Sequence, residues 1–192
     1  IYKKMLRRIK KIIKSKGPAT HILTQLLRAR QASELTKVAP ILEMTEEYLE
    51  EGYSVVIFVN FNDTLEHLAV ALKTDCIVSG ENPEQRDIMI AKFQSDKSRV
   101  ILCNIQSGGV GISLHDINGK YPRRSIMVPS WSATDTKQCL GRIWRAGGKS
   151  KCVQKILYCP NSIEETIVGL IKEKLSNIDS INNGSNNDIS MK

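Results

Sequence analysis

Arg142 and Arg145, with Gln138 one helical turn before them, are the residues of this 192-residue chain best suited to act on a charged ligand. In QCLGRIWR (138–145) the spacings of four and then three put all three side chains on one face of a helix, which the local pattern predicts here. Two planar guanidinium groups beside a neutral amide match phosphate oxygens, and they suit the charge that builds on a phosphoryl group in transfer. A solvated helix face laced with salt bridges is the plainer reading of the arginines taken alone. A second cluster lies in QSGGVGISL, where Gly108, Gly109 and Gly111 let backbone amides approach a phosphate or ribose closely. Taken alone, those glycines also describe a tight turn. A third segment, IWRAGGKS (143–150), nearly spells the phosphate loop G-x-x-x-x-G-K-S but has Ile143 at its first glycine position. Its surroundings are also reversed, since that loop joins a strand to a following helix, whereas here a predicted helix runs into a predicted strand.

These segments can serve one ligand only if a framework brings them together, and the hydropathy pattern supplies one. SVVIFVNF is β-branched, aromatic and apolar on both faces, as a central parallel strand must be. CIVSG, RVILCNI, RRSIMVP and CVQKILYC read as four further strands. Helices are predicted over 62–73, capped by Asn62 or Asp63, over 83–94 with Pro83 near its first position, over TDTKQCLGRIW and over SIEETIVGLIKEKLSNI. Ahead of them, helical spacing appears in residues 1–16, 21–30 and 35–50, the last ending at Gly52 as a C-terminal cap. Five strands separated by helical crossovers predict a doubly wound α/β sheet. Its ligand sites belong just past the carboxyl ends of the strands, where the glycine loop falls.

In order along the chain, VVIFVNFNDTLEHL, VSGENPEQRDIMIAKF, ILCNIQSGGVGISL, SWSATDTKQCLGRIWRAGG and ILYCPNSIEETIVGLIKEKL resemble the successive motifs of the second RecA-like lobe of superfamily-two helicases. The Swi/Snf-type DNA translocases are the nearest in pattern. The resemblance covers residues 35–178 and implies a RecA-like C-terminal helicase domain there; residues 1–34 ahead of it read as a basic helical extension, and DSINNGSNNDISMK (179–192) has too little apolar content to fold and reads as a disordered tail. The resemblance implies that Gly109 and Gly111 face a nucleotide and that Gln138, Arg142 and Arg145 meet its phosphates across a cleft between lobes, Arg145 as the finger. It also implies that Asn60, Asn104 and Gln106, together with Gly80 and Arg86, touch a nucleic-acid backbone without reading sequence. ATP would be the cofactor, and its Mg²⁺ ligands, phosphate loop and water-orienting base would lie on a first lobe of the same polypeptide. The nucleic acid would be DNA on the Swi/Snf likeness. Three positions depart from that pattern: Trp144 replaces a usual histidine, Ser132 and Ala133 replace Asn-Pro, and Ile105 replaces a hydroxyl residue. They leave the arginine pair intact and place the chain in a divergent branch, in which viral helicase-like ATPases also fall. A motor-like lobe that has lost catalysis and serves as a docking module is the rival reading. A free-standing nucleotide enzyme lacks its phosphate loop.

Composition agrees with this picture. No apolar run approaches the roughly 18–20 residues that span a bilayer, and no signal peptide opens the chain, so a nuclear or cytoplasmic protein, neither secreted nor membrane-bound, is expected. The start at Ile1 predicts a piece of a longer polypeptide. Five cysteines form no C-x-x-C pair and His21, His67 and His115 stand apart, which predicts reduced thiols and no zinc site. The net charge of +8 comes entirely from residues 1–16, which hold eight Lys or Arg and no acid. This arm reads as a solvated helix or linker packing on a neighbour, or as a direct phosphate contact; a membrane-surface helix would need more aromatic residues than Tyr2. If it contacts phosphates, deleting residues 1–16 flattens the dependence of log K on log[salt] by about 0.9 per phosphate released. A titration of duplex DNA at several salt concentrations reads this, and an unchanged slope assigns the arm to linkage.

Overall fold

The computed structural model describes Arg7 and residues 19–75, 77–78, 83–108 and 111–182. Helix α1 (Ala19–Leu35) and helix α2 (Val38–Glu50) precede the sheet. Strand β1 (Ser54–Val59) leads to α3 (Asn62–Leu72), β2 (Ile77–Val78), α4 (Pro83–Gln94) and β3 (Val100–Asn104). A short α5 (Ile105–Gly108), β4 (Arg123–Met127), α6 (Ala133–Ile143), β5 (Val153–Ile156) and α7 (Ile163–Asn182) complete the order. The strands form one sheet in the order β2-β3-β1-β4-β5, every pairing parallel. This is the doubly wound α/β sheet that the pattern predicts, with the direction of winding reversing about β1.

β1 lies at the centre with all six residues buried, which is why its sequence is apolar on both faces rather than alternating. Val55 pairs with Val100 on one side and Arg124 on the other, and that register carries Val59 to Asn104 at the carboxyl edge. Phe58, Ile57, Ile101, Leu102 and Ile126 join Ile41 of α2, Leu65 and Leu68 of α3 and Phe93 of α4 in one continuous core. Full burial of each such side chain contributes about 1.5–3 kcal/mol. At the end of α2 Gly52 adopts φ +90°, and the N–H groups of Gly52 and Tyr53 return to Leu49 O and Tyr48 O. The cap predicted there is present, and a side chain at this φ would be strained.

Four expectations are corrected. The helix predicted over 35–50 is separated from α1 by a turn at residues 36–37, and α1 is longer than the 21–30 stretch. Neither Asn62 nor Asp63 caps α3: the cap position is Phe61, which makes no side-chain cap bond, and its N–H is accepted by Glu34 of α1 at 3.0 Å. Between β3 and β4 the crossover holds only the four-residue α5 before an irregular stretch. There Asp116 Oδ1 accepts the N–H groups of Asn118 and Gly119, offering the backbone a turn in place of a helix. Residues 179–182, assigned to the tail, continue α7, while 183–192 lie outside the described residues. Among the described residues no helix is long and apolar enough to cross a membrane, and Cys103, Cys139, Cys152 and Cys159 are free thiols. Burial pushes the Cys139 thiol up to about 12.

Among the described residues four charged side chains are buried, Glu34, Lys37, Asp116 and Arg123, and each makes hydrogen bonds inside the protein. Arg123, fully buried at the start of β4, meets Asp96 and Gln94 and covers the ring of Phe93 at 4.5 Å. Lys37 Nζ meets Glu164 of α7 at 2.6 Å, with side-chain exposures of 3% and 13%, so the pair is dry. Glu164 also accepts from Ser33 Oγ and Cys159 N, both at 2.9 Å, which ties α1 and α2 to the far end of the chain. Glu34, 2% exposed, lies at the carboxyl edge of the sheet.

Candidate nucleotide and nucleic-acid site

Helix α6 starts at Ser132, whose hydroxyl accepts the N–H of Asp135 at 3.1 Å, the usual arrangement for a serine N-cap. It buries Thr136, Cys139 and Ile143 and turns Thr134, Lys137, Gln138, Gly141 and Arg142 toward an open groove of about 410 Å³. A Cβ at Gly141 would meet nothing within 4 Å, so glycine is not required there by packing; its lack of a side chain leaves the groove clear between Gln138 and Arg142.

The helix stops at Ile143, and Trp144 is extended at φ −106°, ψ 115°. Arg145 therefore stands beyond the helix, not on its face as the spacing suggests. The cause is tertiary, because the carbonyl of Arg142 accepts the N–H of Leu114 at 2.9 Å. The two arginines converge nonetheless. Arg142 Nη1 donates to Ile112 O at 3.4 Å and Arg145 Nη2 donates to the same oxygen at 3.2 Å. That carbonyl, just after the glycine loop, is a neutral acceptor. Two guanidinium groups aimed at one acceptor are the arrangement that a phosphoryl oxygen would draw more strongly. Gly111 precedes it at φ +71°, a conformation that admits glycine readily and other residues at a cost. Downstream, Gly148 N bonds Arg145 O at 3.1 Å and Lys149 N bonds Asp116 O at 2.9 Å, so the 145–149 turn and the 112–116 loop hold each other. Trp144 is 62% exposed beside them.

The second group lies along the carboxyl edge. Asn104, at the end of β3, donates through Nδ2 to Asn60 O at 3.2 Å and to Asn62 Oδ1 at 3.0 Å, and its Oδ1 accepts the N–H of Gln106 at 3.0 Å. Gln106 is exposed. Asn60 is likewise committed: its Nδ2 donates to Glu34 Oε2 at 2.7 Å and to Pro129 O at 3.0 Å, so the side-chain donors of both asparagines are used inside the protein. Arg86 lies on α4, which this edge does not include. Gly80 and Gly109 lie outside the described residues.

Glu34 was not singled out from the sequence, although it is the most heavily bonded side chain of this edge. Its carboxylate accepts the N–H of Asn60, the N–H of Phe61 and the amide of Asn60. Burial pushes its pKa up, and the amide and backbone donors oppose that shift. Arg30, one turn earlier and spaced to face Glu34, lies 5.6 Å from the Phe61 ring centre and 5.3 Å from that of Trp131. The Arg30/Glu34 spacing was legible; the burial that gives it meaning was not.

The chain belongs to the helicase conserved C-terminal domain family, whose profile matches residues 36–147. It is 37% identical over 185 residues to a protein of Acanthamoeba polyphaga mimivirus whose name describes an ATP-dependent RNA helicase, covering 95% of this chain and 34% of that protein. It is 25% identical over 156 residues to the DNA repair and recombination protein RAD54 of Saccharomyces cerevisiae, covering 73% of this chain and 17% of that one. The chain thus spans 34% and 17% of the length of these relatives. Its backbone matches the C-terminal domain of the Sulfolobus solfataricus SWI2/SNF2 ATPase with a TM-score of 0.62 at 23% identity, over 97% of this chain and 84% of that domain. The fold is the RecA-like C-terminal lobe.

Proposed function

We propose that this chain is the C-terminal motor lobe of an ATP-driven nucleic-acid helicase or translocase, completing a nucleotide site whose other half is on a first lobe. The observation that carries this reading is the convergence of Arg142 and Arg145 on the single oxygen of Ile112. A docking surface has no need for two guanidinium groups trained on one acceptor. The nucleotide would supply a γ-phosphoryl group whose oxygens gain charge in transfer. On this chain, Arg145 stabilises that charge, Arg142 and Gln138 orient the phosphate, and the backbone at Gly109 and Gly111 comes close to the nucleotide. The donor set fits the phosphate end and not its metal. On the resemblance to two-lobed helicases, magnesium ligands are assigned to the first lobe.

Asn60, Asn104 and Gln106 frame the nucleic-acid edge, with Gly80 and Arg86 contacting the backbone further along. With both asparagine amides engaged inside the protein, the exposed Gln106 side chain is the polar group of this edge that would hydrogen-bond phosphates without reading bases, as stepping along any sequence requires. Lobe closure on ATP and opening after hydrolysis would alternate the grip. We assign DNA as the track on the Swi/Snf-type motif pattern. The chain alone is expected to release no phosphate from ATP above background, with or without duplex DNA, single-stranded DNA or RNA. Robust turnover by the purified chain would overturn the divided site.

A further inference from the structure

Glu34 lies outside the span that defines the family, 36–147, yet it bonds directly to an edge residue inside that span. We propose that Glu34 is a positioning residue for the nucleic-acid edge, acting through Asn60; this rests on the motor-lobe reading above. The bonds run in one connected series. Glu34 holds the turn after β1 by the N–H groups of Asn60 and Phe61 and by the Asn60 amide. The turn in turn presents two acceptors, Asn60 O and Asn62 Oδ1, to the amide of Asn104. Asn104 then fixes the N–H of Gln106. The same Asn60 amide reaches Pro129 O, one residue past Val128 at the carboxyl end of β4. Three neighbouring strand ends, those of β3, β1 and β4, are thereby set relative to one another by a carboxylate from α1. A hydrophobic residue at position 34 could fill the space but could accept none of these N–H groups, and buried donors without acceptors are costly.

The geometry also says how to break the series selectively. In Glu34→Gln the amide oxygen can occupy the place of Oε1 and keep the Asn60 and Phe61 N–H groups, 3.1 and 3.0 Å away. The new NH₂ then stands at the place of Oε2, 2.7 Å from the Asn60 Nδ2 donor. Two donors meet, and Asn60 must move. Flipping its amide does not help, because that turns Oδ1 toward the carbonyl of Pro129. The backbone turn survives while the side-chain relay is lost. Glu34→Asp keeps the charge but retracts it by one methylene and is expected to fall between wild type and Glu34→Gln.

The test uses the two-lobed protein and measures ATP turnover against the concentrations of ATP and of duplex DNA separately. Glu34→Gln is expected to raise the DNA concentration giving half-maximal stimulation by roughly tenfold, the equivalent of one hydrogen bond to a charged group. The unstimulated rate and the KM for ATP stay near wild type, while the melting temperature falls by roughly 2–12 °C for the one buried hydrogen bond lost. In an Asn60→Ala background Glu34→Gln should add little, because the two residues act in series. An unchanged DNA requirement in both Glu34 variants overturns the proposal. So does a parallel loss of ATP and DNA parameters that follows the melting temperature, which is what a merely structural role would give. A wild-type two-lobed protein whose ATP turnover is not stimulated by DNA or RNA would overturn the motor-lobe reading itself, an outcome distinguishable from failure of the Glu34 variants alone.

Discussion

Arg145→Ala, introduced into the two-lobed protein, is expected to lower nucleic-acid-stimulated ATP hydrolysis by about 10³- to 10⁵-fold, or about 4–7 kcal/mol of barrier. The KM for ATP should change far less, because the guanidinium acts on charge that appears mainly in the transition state. Arg145→Lys should recover little. Its ammonium is a point charge that cannot reproduce the planar fork now directed at Ile112 O. Arg142→Ala should cut the rate as well and also weaken nucleotide binding, since Arg142 lines the groove that Gln138 and Gly141 share. Steady-state turnover with saturating nucleic acid, paired with direct nucleotide-binding measurements, separates the two effects. If both alanine variants fold normally and keep near-wild-type turnover, the arginine pair is a surface feature and the docking-module reading gains.

Lys37→Ala is the substitution expected to cost the fold most. Lys37 and Glu164 are both withdrawn from water and lie 2.6 Å apart. Removing the lysine leaves a buried carboxylate with the Ser33 hydroxyl and the Cys159 N–H as donors but no opposite charge. Orphaning one member of such a pair costs about 3–5 kcal/mol. In a domain of this size that corresponds to a fall in Tm of roughly 6–20 °C. The double variant Lys37→Met, Glu164→Gln removes both charges while a glutamine oxygen can still accept the Cys159 N–H, and it should regain most of the loss. Urea unfolding followed by circular dichroism measures all three proteins. A cost below about 1 kcal/mol for Lys37→Ala would show that Glu164 relaxes into water and that the pair does not hold the chain ends together.

The sheet and the arginine site were legible in different degrees. β1 announces itself because a strand covered on both faces must be continuously apolar, and its β-branched and aromatic residues at that length favour a strand over a buried helix. Arg142 was placed on α6 by periodicity, and the convergence with Arg145 was anticipated, but by the wrong route. Local spacing could not reveal that the Arg142 carbonyl is taken by Leu114, which lies far upstream and leaves Trp144 extended. The start of α3 failed for the same reason. Asn62 and Asp63 are good capping residues by type, yet the acceptor beside the turn is Glu34, from an element laid down before the sheet. By type and position Asn60 is a polar strand-end residue suited to meet phosphate, and only the folded chain shows both its donors engaged. In each case the deciding partner is distant in sequence, and residue type alone does not specify a distant partner.

The order of the strands bears on how this protein can be trimmed. β5 forms one border of the sheet and pairs only with β4. A fragment cut to residues 36–147 retains β4 and discards β5, Glu34 and Glu164 together. The backbone of Arg123–Met127, now hydrogen-bonded on both sides, would then present a row of open N–H and C=O groups along a strand that is otherwise largely buried. Such a border is a template for pairing with a second molecule, so the shortened fragment should self-associate and precipitate where the longer chain remains dispersed.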